Sequence, residues 1–263
     1  MKLVVSALHF PWDTLPDCMR IARDELGLDG VELSWHTGAQ RPHCTDEDMK
    51  QIRAESDGMH ISAHIWENLA KLETHAAVAA LTHWIAKCVD TGATDLVIHG
   101  GSFPNQHEGI LRVRRALEQA LPVCEREGVT LNLENHYAYD YRDCCELFST
   151  PEEFMEVFSL DSASLRFCFD TGHGHMTRNG EQLVRDLAPW LNYVHLADCH
   201  GVHDDHCMYR EGTVPWDALF AAMVEIGYDG VFCVEFPVRE DRQPFHDCIR
   251  DLRNRFHPKP PPQ

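Results

Sequence analysis

The sequence predicts a single closed barrel of eight parallel strands alternating with eight helices, a (β/α)8 fold. Apolar strand-like segments and amphipathic helical segments alternate along the chain, with a glycine closing several of the helices. No Gly-x-Gly-x-x-Gly turn of an open dinucleotide-binding sheet is present, and no change in composition divides the 263 residues. We therefore expect one domain over residues 1–257, followed by a proline-rich tail, 258–263, that we expect to be disordered.

Each strand is predicted from a short, mostly apolar segment that lies between two helical segments. The eight strands are expected at 3–9, 30–33, 60–64, 95–99, 130–134, 165–170, 192–196 and 230–235. The helices are expected at 14–26, 45–57, 74–90, 108–127, 151–160, 181–190, 215–226 and 241–256. Thr45 to Asp48 resembles a capping box at a helix start, and Pro151 suits a first helical turn.

Six consecutive strands end on side chains that can bind metal. In a parallel barrel the active site lies at the carboxyl ends of the strands, so these side chains are expected to meet. Alternation along each strand places each of them on the same face as the residue two positions earlier, which we predict to be the barrel interior. The six residues are His64, His99, Glu134, Asp170, His195 and Glu235.

Two further segments add carboxylate and imidazole groups. The apolar run 165–169 stops at Asp170, and we interpret Thr171-Gly172 as a turn that brings His173 beside Asp170. In the loop after the seventh strand, Asp204 and His206 have the spacing that puts both side chains on one side of an extended segment. Such pairs suit zinc or manganese. A capped strand end and a solvated polar loop remain the alternative interpretations.

The net charge and the cysteine content indicate which partners and which cellular location to expect. Lys and Arg total 23 against 42 Asp and Glu, a formal net charge of −19, which disfavours nucleic acid as a partner. The first eight residues are too short an apolar run for a signal peptide, and no segment reaches membrane-spanning length. The 11 cysteines include no C-x-x-C pair. We therefore expect a cytoplasmic protein.

These motifs together resemble the xylose-isomerase-like TIM barrel superfamily over nearly the whole chain. That superfamily includes sugar and sugar-phosphate isomerases and epimerases, inosose dehydratases and an endonuclease IV branch. The segments that carry the resemblance are 26–33 (LGLDGVEL), 134–135 (EN), 170–173 (DTGH), 194–198 (VHLAD), 204–206 (DDH), 211–216 (EGTVPW) and 234–237 (VEFP).

Resemblance to the ketose epimerase branch implies one divalent ion held by Glu134, Asp170, His195 and Glu235. Glu134 and Glu235 would double as proton-transfer groups, and His173 would contact the substrate. Zinc or manganese is the expected metal, with cobalt and magnesium as alternatives. Gly201 lies where some ketose epimerases place an arginine after the histidine ligand, a departure that leaves the substrate open.

Resemblance to the endonuclease IV branch implies a different use of the same residues. Nine side chains match that branch's trinuclear zinc site, and Gln40-Arg41 resembles its DNA-probing loop. The charge and the short loop 65–68 disfavour this alternative, since a nuclease needs cationic loops along a phosphate backbone. The nine residues are His64, His99, Glu134, Asp170, His173, His195, Asp204, His206 and Glu235.

The sequence thus favours a metal-dependent isomerase or epimerase of a small polyhydroxy carbonyl compound. A trinuclear zinc endonuclease and a metal-binding member without catalysis are the alternatives. We expect Asn135 and His136 to orient Glu134, and Lys71 and Arg210 are candidate phosphate contacts. The oligomeric state stays open, with a homodimer as one alternative.

Overall fold

A computed structural model describes residues 1–9, 15–35, 46–138, 140–141, 144–237 and 239–256. Its centre is a closed barrel in which every neighbouring pair of strands is parallel, in the order β1-β11-β10-β9-β6-β4-β3-β2. This confirms the predicted fold class. The barrel strands are β1 (Lys2–Ser6), β2 (Gly30–Trp35), β3 (His60–Ile65), β4 (Asp95–Ile98), β6 (Thr130–Glu134), β9 (Leu165–Asp170), β10 (Leu191–Leu196) and β11 (Val231–Val234).

The helices follow the strands around the outside of the barrel. Pairs that are adjacent in the chain pack side by side, as α3 does on α4 and α7 on α8. The π-helical turn Ile21–Glu25 continues the first helix, and 3-10 turns occur at Ala7–His9 and Leu69–Lys71. The α-helices are α1 (Leu15–Arg20), α2 (Asp46–Glu55), α3 (Thr74–Thr91), α4 (Gln106–Glu127), α5 (Pro151–Phe158), α6 (Thr171–Thr177), α7 (Gly180–Asp186), α8 (Trp216–Glu225) and α9 (Gln243–Phe256).

Two local predictions are wrong. The first strand ends at Ser6, and Ala7–His9 forms a 3-10 turn, so the chain leaves the barrel three residues earlier than expected. Thr171-Gly172 does not form a turn but begins helix α6, because the Asp170 carboxylate accepts a hydrogen bond from the His173 amide as an N-cap. Thr45, the pair Gln40-Arg41 and the tail 258–263 lie outside the described residues.

A small antiparallel sheet that the sequence did not predict consists of β5 (Ser102–Phe103), β7 (Asp140–Tyr141) and β8 (Cys144–Glu146). It is formed by the loops after β4 and β6. Because those loops also carry Gly101 and His136 into the pocket described below, the sheet fixes one side of the barrel mouth.

The barrel interior is filled in layers beneath the carboxyl ends of the strands. A cluster of buried side chains, separate from the main core, includes Cys168, Tyr193 and Cys233. Each of these residues precedes a predicted site residue by two positions, so alternation places the layer directly beneath the site. The Tyr193 hydroxyl lies 2.6 Å from the Ser62 hydroxyl, which gives the buried phenol a hydrogen-bond partner.

Candidate active site

A pocket of about 310 Å³ opens at the carboxyl ends of the barrel strands. This is the small end of the range for ligand pockets and suits a small molecule. Most of the residues that line it have polar or ionisable side chains. Of the nine residues singled out in the sequence, seven line the pocket, while Asp170 and His195 lie buried beneath it. The seven are His64, His99, Glu134, His173, Asp204, His206 and Glu235.

Glu134 is the residue through which most of the site is connected. It ends β6, and its carboxylate is 1% exposed. One oxygen, Oε2, lies 3.1 Å from His99 Nε2 and 3.4 Å from His64 Nε2. The other, Oε1, lies 3.4 Å from Nδ1 of both His173 and His195. Four imidazoles from four different segments therefore surround one carboxylate.

His195 lies between the two glutamates. Its Nδ1 is 3.4 Å from Glu134 Oε1 and 3.3 Å from Glu235 Oε2, and its side chain is fully buried. Glu134 is the last residue of β6, and Glu235 follows β11. These two strands are separated in the barrel by β9 and β10. The two carboxylates thus reach the same imidazole nitrogen from either flank of β9 and β10.

The side chain of Asn135 holds the main chain of Asp170 in place. The Asn135 side chain accepts a hydrogen bond from the Asp170 amide (2.7 Å) and donates one to the Asp170 carbonyl (3.2 Å). His173 Nδ1 lies 2.8 Å from the Asn135 carbonyl oxygen and 3.5 Å from Asp170 Oδ1. Asn135 therefore positions Asp170 and His173, whereas we had predicted that it orients Glu134. His136 stacks on His173, with ring centroids 4.7 Å apart.

Asp204 and His206 approach from the loop after β10. Asp204 lies 3.4 Å from His173 Nε2 through Oδ2 and 3.3 Å from His206 Nε2 through Oδ1. His206 Nδ1 lies 2.7 Å from the Glu235 carbonyl oxygen, which ties the loop to the end of β11. The structure thus brings both members of the predicted pair to the site.

Asp198 anchors that loop. Its buried carboxylate accepts hydrogen bonds from the Cys199 and Val214 amides (2.9 and 3.1 Å) and from the Trp216 indole (3.0 Å). It thereby joins the start of the loop to its end. Gly212 packs against this carboxylate so closely that a Cβ there would lie 2.3 Å from Asp198 Oδ1, so a side chain at that position is excluded.

Burial and close opposite charges set the protonation states of the site. Burial raises the pKa of Asp170 to about 7. Burial works against charge on His195, but Cys168 and the carboxylates of Glu235 and Glu32 outweigh it and raise its pKa well above the ordinary value. Burial likewise opposes ionisation of Glu235, yet His195 and His64 lower its pKa to about 2.

The donor set fits a divalent cation. Several buried side-chain atoms of the described site residues have no hydrogen-bond partner, among them Glu134 Oε2, Asp170 Oδ2 and His195 Nδ1. Buried polar atoms are rarely left unpaired, so these atoms indicate a ligand that would satisfy them. Groups of carboxylate and imidazole atoms within 4.8 Å of one another include Glu134-Asp170-His173 and His64-His99-Glu134. Carboxylate oxygen and imidazole nitrogen together suit zinc or manganese.

Glu32 and Cys168 are among the residues of this region that were not predicted as part of the site. Glu32 on β2 is buried beneath the pocket and contacts His195, and Cys168 lies close to Glu134 and His195. For Glu32 a sequence signal existed: a charged residue in the middle of the apolar segment 30–35 is costly unless it has a buried partner.

Comparison with known proteins agrees with this architecture. The family model described as xylose isomerase-like TIM barrel matches residues 21–254. The chain belongs to this family. The resemblance inferred from the motifs is thereby confirmed, although the family model alone does not assign a reaction.

Relatives of the family share the fold at low sequence identity. An uncharacterised protein of Methanocaldococcus jannaschii is 29% identical over 253 residues, covering 89% of this chain and 83% of that protein. Among solved structures, a D-tagatose 3-epimerase-like protein superimposes with a TM-score of 0.81 at 22% identity, covering 97% of this chain and 98% of that one. The 3-keto-D-glucoside 4-epimerase from E. coli gives a TM-score of 0.75 at 18% identity, with coverage of 97% and 99%.

Proposed function

We propose that the protein is a divalent-metal-dependent isomerase or epimerase of a small polyhydroxy carbonyl compound, acting by proton transfer between Glu134 and Glu235. The observation that carries this proposal is the placement of two buried glutamates 3.4 and 3.3 Å from one nitrogen of His195, at the base of a small polar pocket. Two carboxylates that reach one centre from different flanks can serve opposite faces of one carbon.

The residues that would hold the ion are Glu134, Asp170, His195 and Glu235. When bound there, a divalent ion supplies Lewis-acid chemistry that stabilises negative charge on a carbonyl oxygen as the adjacent carbon loses its proton. The donor set favours zinc or manganese, with cobalt and magnesium as alternatives.

Glu134 and Glu235 then carry out the proton transfer. His99 and His195 help to lower the pKa of Glu134 well below its ordinary value despite burial, so this carboxylate is ionised and ready to accept a proton. Glu235, whose pKa is about 2, is ionised as well. One glutamate removes the proton from the carbon beside the carbonyl. The other, ionised at rest, first takes up a proton from solvent and then delivers it on the opposite face or at the neighbouring carbon, and the first glutamate returns its proton to solvent. His173 and His206, which line the pocket, would bind the substrate hydroxyls.

The pocket lining supports an unphosphorylated sugar as the substrate class. The described residues that line the pocket include no lysine or arginine. Arg210 pairs with Asp217 and Asp251, and neither it nor Lys71 is among the lining residues. The structural relatives named as epimerases of D-psicose, L-ribulose and a 3-keto-D-glucoside agree with a small polyhydroxy compound.

The endonuclease is the second candidate, and one observation favours it. His64 and His99 lie beside Glu134, and His173, Asp204 and His206 form a further group, so donors for more than one ion are close together. The net charge of −19 and the lack of lysine and arginine among the described residues that line the pocket oppose a DNA substrate. A family member that binds metal without catalysis is the third alternative.

The reduced cysteines support a cytoplasmic location for the protein. The nine cysteine side chains that the structure describes form no disulfide, and seven of them are buried. Free thiols in this number suit a reducing cytoplasm. Each helix of the described part of the chain is too short or too polar to span a membrane.

The test combines metal analysis with a substrate screen. Protein purified without added metal or chelator is expected to contain one manganese, zinc or cobalt ion per chain and to interconvert a free ketose or inosose. Glu134→Gln should abolish turnover, while the control Glu181→Gln, on the surface of α7, should not. Three zinc ions with cleavage of abasic DNA would establish the nuclease instead, and bound metal without any turnover would favour the non-catalytic alternative.

A further inference from the structure

Glu32 is a fully buried carboxylate in the middle of barrel strand β2. It does not line the pocket, so it has no direct route to a substrate. Its Oε2 lies 2.8 Å from His195 Nε2, and its Oε1 lies 4.0 Å from His64 Nδ1. Among the described residues, the carboxylate of Glu32 forms its hydrogen bond with His195, and its Oε1 has no hydrogen-bond partner.

The contact with Glu32 determines which nitrogen of His195 carries the hydrogen. A carboxylate at 2.8 Å accepts a hydrogen bond, so His195 Nε2 is the donor. In the neutral ring the lone pair is then on Nδ1, the atom that lies between Glu134 and Glu235 and has no hydrogen-bond partner. In its neutral form the ring therefore presents the unprotonated Nδ1 to the place where the ion would bind.

We propose that Glu32 is a positioning residue that holds His195 in this tautomer and orientation and thereby sets the affinity of the site for its divalent ion. The inference rests on the metal site of the proposed function. It goes beyond that function because it assigns control over metal binding to β2, a strand that carries none of the predicted ligands. A partner of this kind behind a histidine ligand commonly changes metal affinity by roughly 10–100-fold.

A purely structural role does not explain why a charged residue occupies position 32. A carboxylate in a dry barrel interior is unfavourable unless a partner compensates it, and the described surroundings of Glu32 offer imidazoles rather than lysine or arginine. The neighbouring interior residues Ser6, Ser62 and Tyr193 are neutral. The charge at position 32 is therefore explained by what it does to His195.

The experiment measures metal binding rather than turnover. Chelator-stripped wild-type protein, Glu32→Gln and Glu32→Met are titrated with Co²⁺ and Zn²⁺, with the visible absorption of Co²⁺ as the signal and elemental analysis for the number of ions. Gln keeps an acceptor but loses the charge, whereas Met removes both. Asp95→Asn is the matched control, because Asp95 is a buried barrel carboxylate that bonds to Asn132 and Asn192 and touches none of the candidate ligands.

The expected result is a graded loss of affinity with an unchanged number of ions. Relative to wild type, the dissociation constant should rise about tenfold in Glu32→Gln and about 100-fold in Glu32→Met, and it should stay within about twofold in Asp95→Asn. Unchanged affinity in both Glu32 variants would overturn the inference, as would the loss of one bound ion, since Glu32 would then be a ligand itself.

The same experiment separates this inference from the proposed function. A graded loss of metal affinity in a protein that turns over no sugar would support the role of Glu32 and refute the proposed reaction. A wild-type protein that binds no divalent ion would overturn both. Circular dichroism on each stripped variant shows whether the barrel has folded, and Glu32→Gln, which preserves shape and volume, supplies the answer if Glu32→Met does not fold.

Discussion

The division of labour between Glu134 and Glu235 can be tested by replacing each with glutamine. Glutamine preserves the side-chain volume and one oxygen donor, so the buried environment of either position is retained. It cannot accept the substrate proton. Loss of a positioned acid or base lowers rates by about 10²–10⁴-fold, which corresponds to about 3–5 kcal/mol of transition-state free energy.

The contacts predict that the two variants differ in metal affinity. Glu134 has four imidazole partners, whereas Glu235 faces two, His195 and His64. Removing the Glu134 charge therefore weakens more charge-assisted contacts, each worth about 1.5–3 kcal/mol when buried. We expect Glu134→Gln to bind the ion more weakly than Glu235→Gln, so both are assayed at saturating metal.

The assay is NMR of a purified substrate and of its epimer in D₂O. Wild type should incorporate one deuterium as it interconverts the two. Each glutamine variant should lose interconversion yet still exchange the proton of one epimer, and the two variants should exchange opposite epimers. Interconversion within tenfold of wild type in either metal-loaded variant would refute the assignment. If one variant exchanged both epimers, proton transfer would belong to a single base.

Four further outcomes are expected from the site. Binding the ion removes protons from Asp170, whose pKa is about 7, and from His195, so metal affinity should rise with pH through 7 and calorimetry in buffers of different ionisation enthalpy should detect the release. In the metal-free protein the pKa values of Asp170 and His195 are higher than in the unfolded chain, so the folded state binds more protons. The Tm of the metal-free protein should therefore fall as pH rises from about 5 to 8. Asp198→Ala leaves the Val214 amide and the Trp216 indole unpaired, which should cost about 3 kcal/mol, or roughly 6–12 °C in a thermal melt. A free ketose should be converted at least tenfold more efficiently than its phosphate ester, and the reverse preference would contradict the uncharged-substrate assignment.

The positions of the site residues were predictable because strand periodicity and barrel geometry are local and general. Once the strands at 130–134 and 192–196 are recognised, Glu134 and His195 must point inward, and all parallel strand ends meet at one face. The structure places Asp204 and His206 there as well, although nothing in a loop's spacing fixes its path. What brings them in is the Asp198 carboxylate, which bonds to Val214 and Trp216, 16 and 18 residues away in the chain.

Other features depend on contacts that a single sequence does not reveal. The strands of the small antiparallel sheet have two or three residues, too few to show a period. The contact between Glu32 and His195 joins residues 163 positions apart. The start of α6 at Thr171 was misinterpreted for a different reason: Asp170 is both a strand end and a helix N-cap, and the Thr-Gly pair suits a turn equally well.

That junction has a consequence for how such a protein can change. Strand β9 ends at Asp170 and helix α6 begins at Thr171, with no connecting loop, and the same carboxylate caps the helix. An inserted residue there would break the cap and displace His173 together with Asp170, so this connection should tolerate no variation in length. The connection from β10 to α8 is long and is fastened at its two ends by Asp198. Diversification of the pocket, natural or designed, is therefore expected in the middle of that segment.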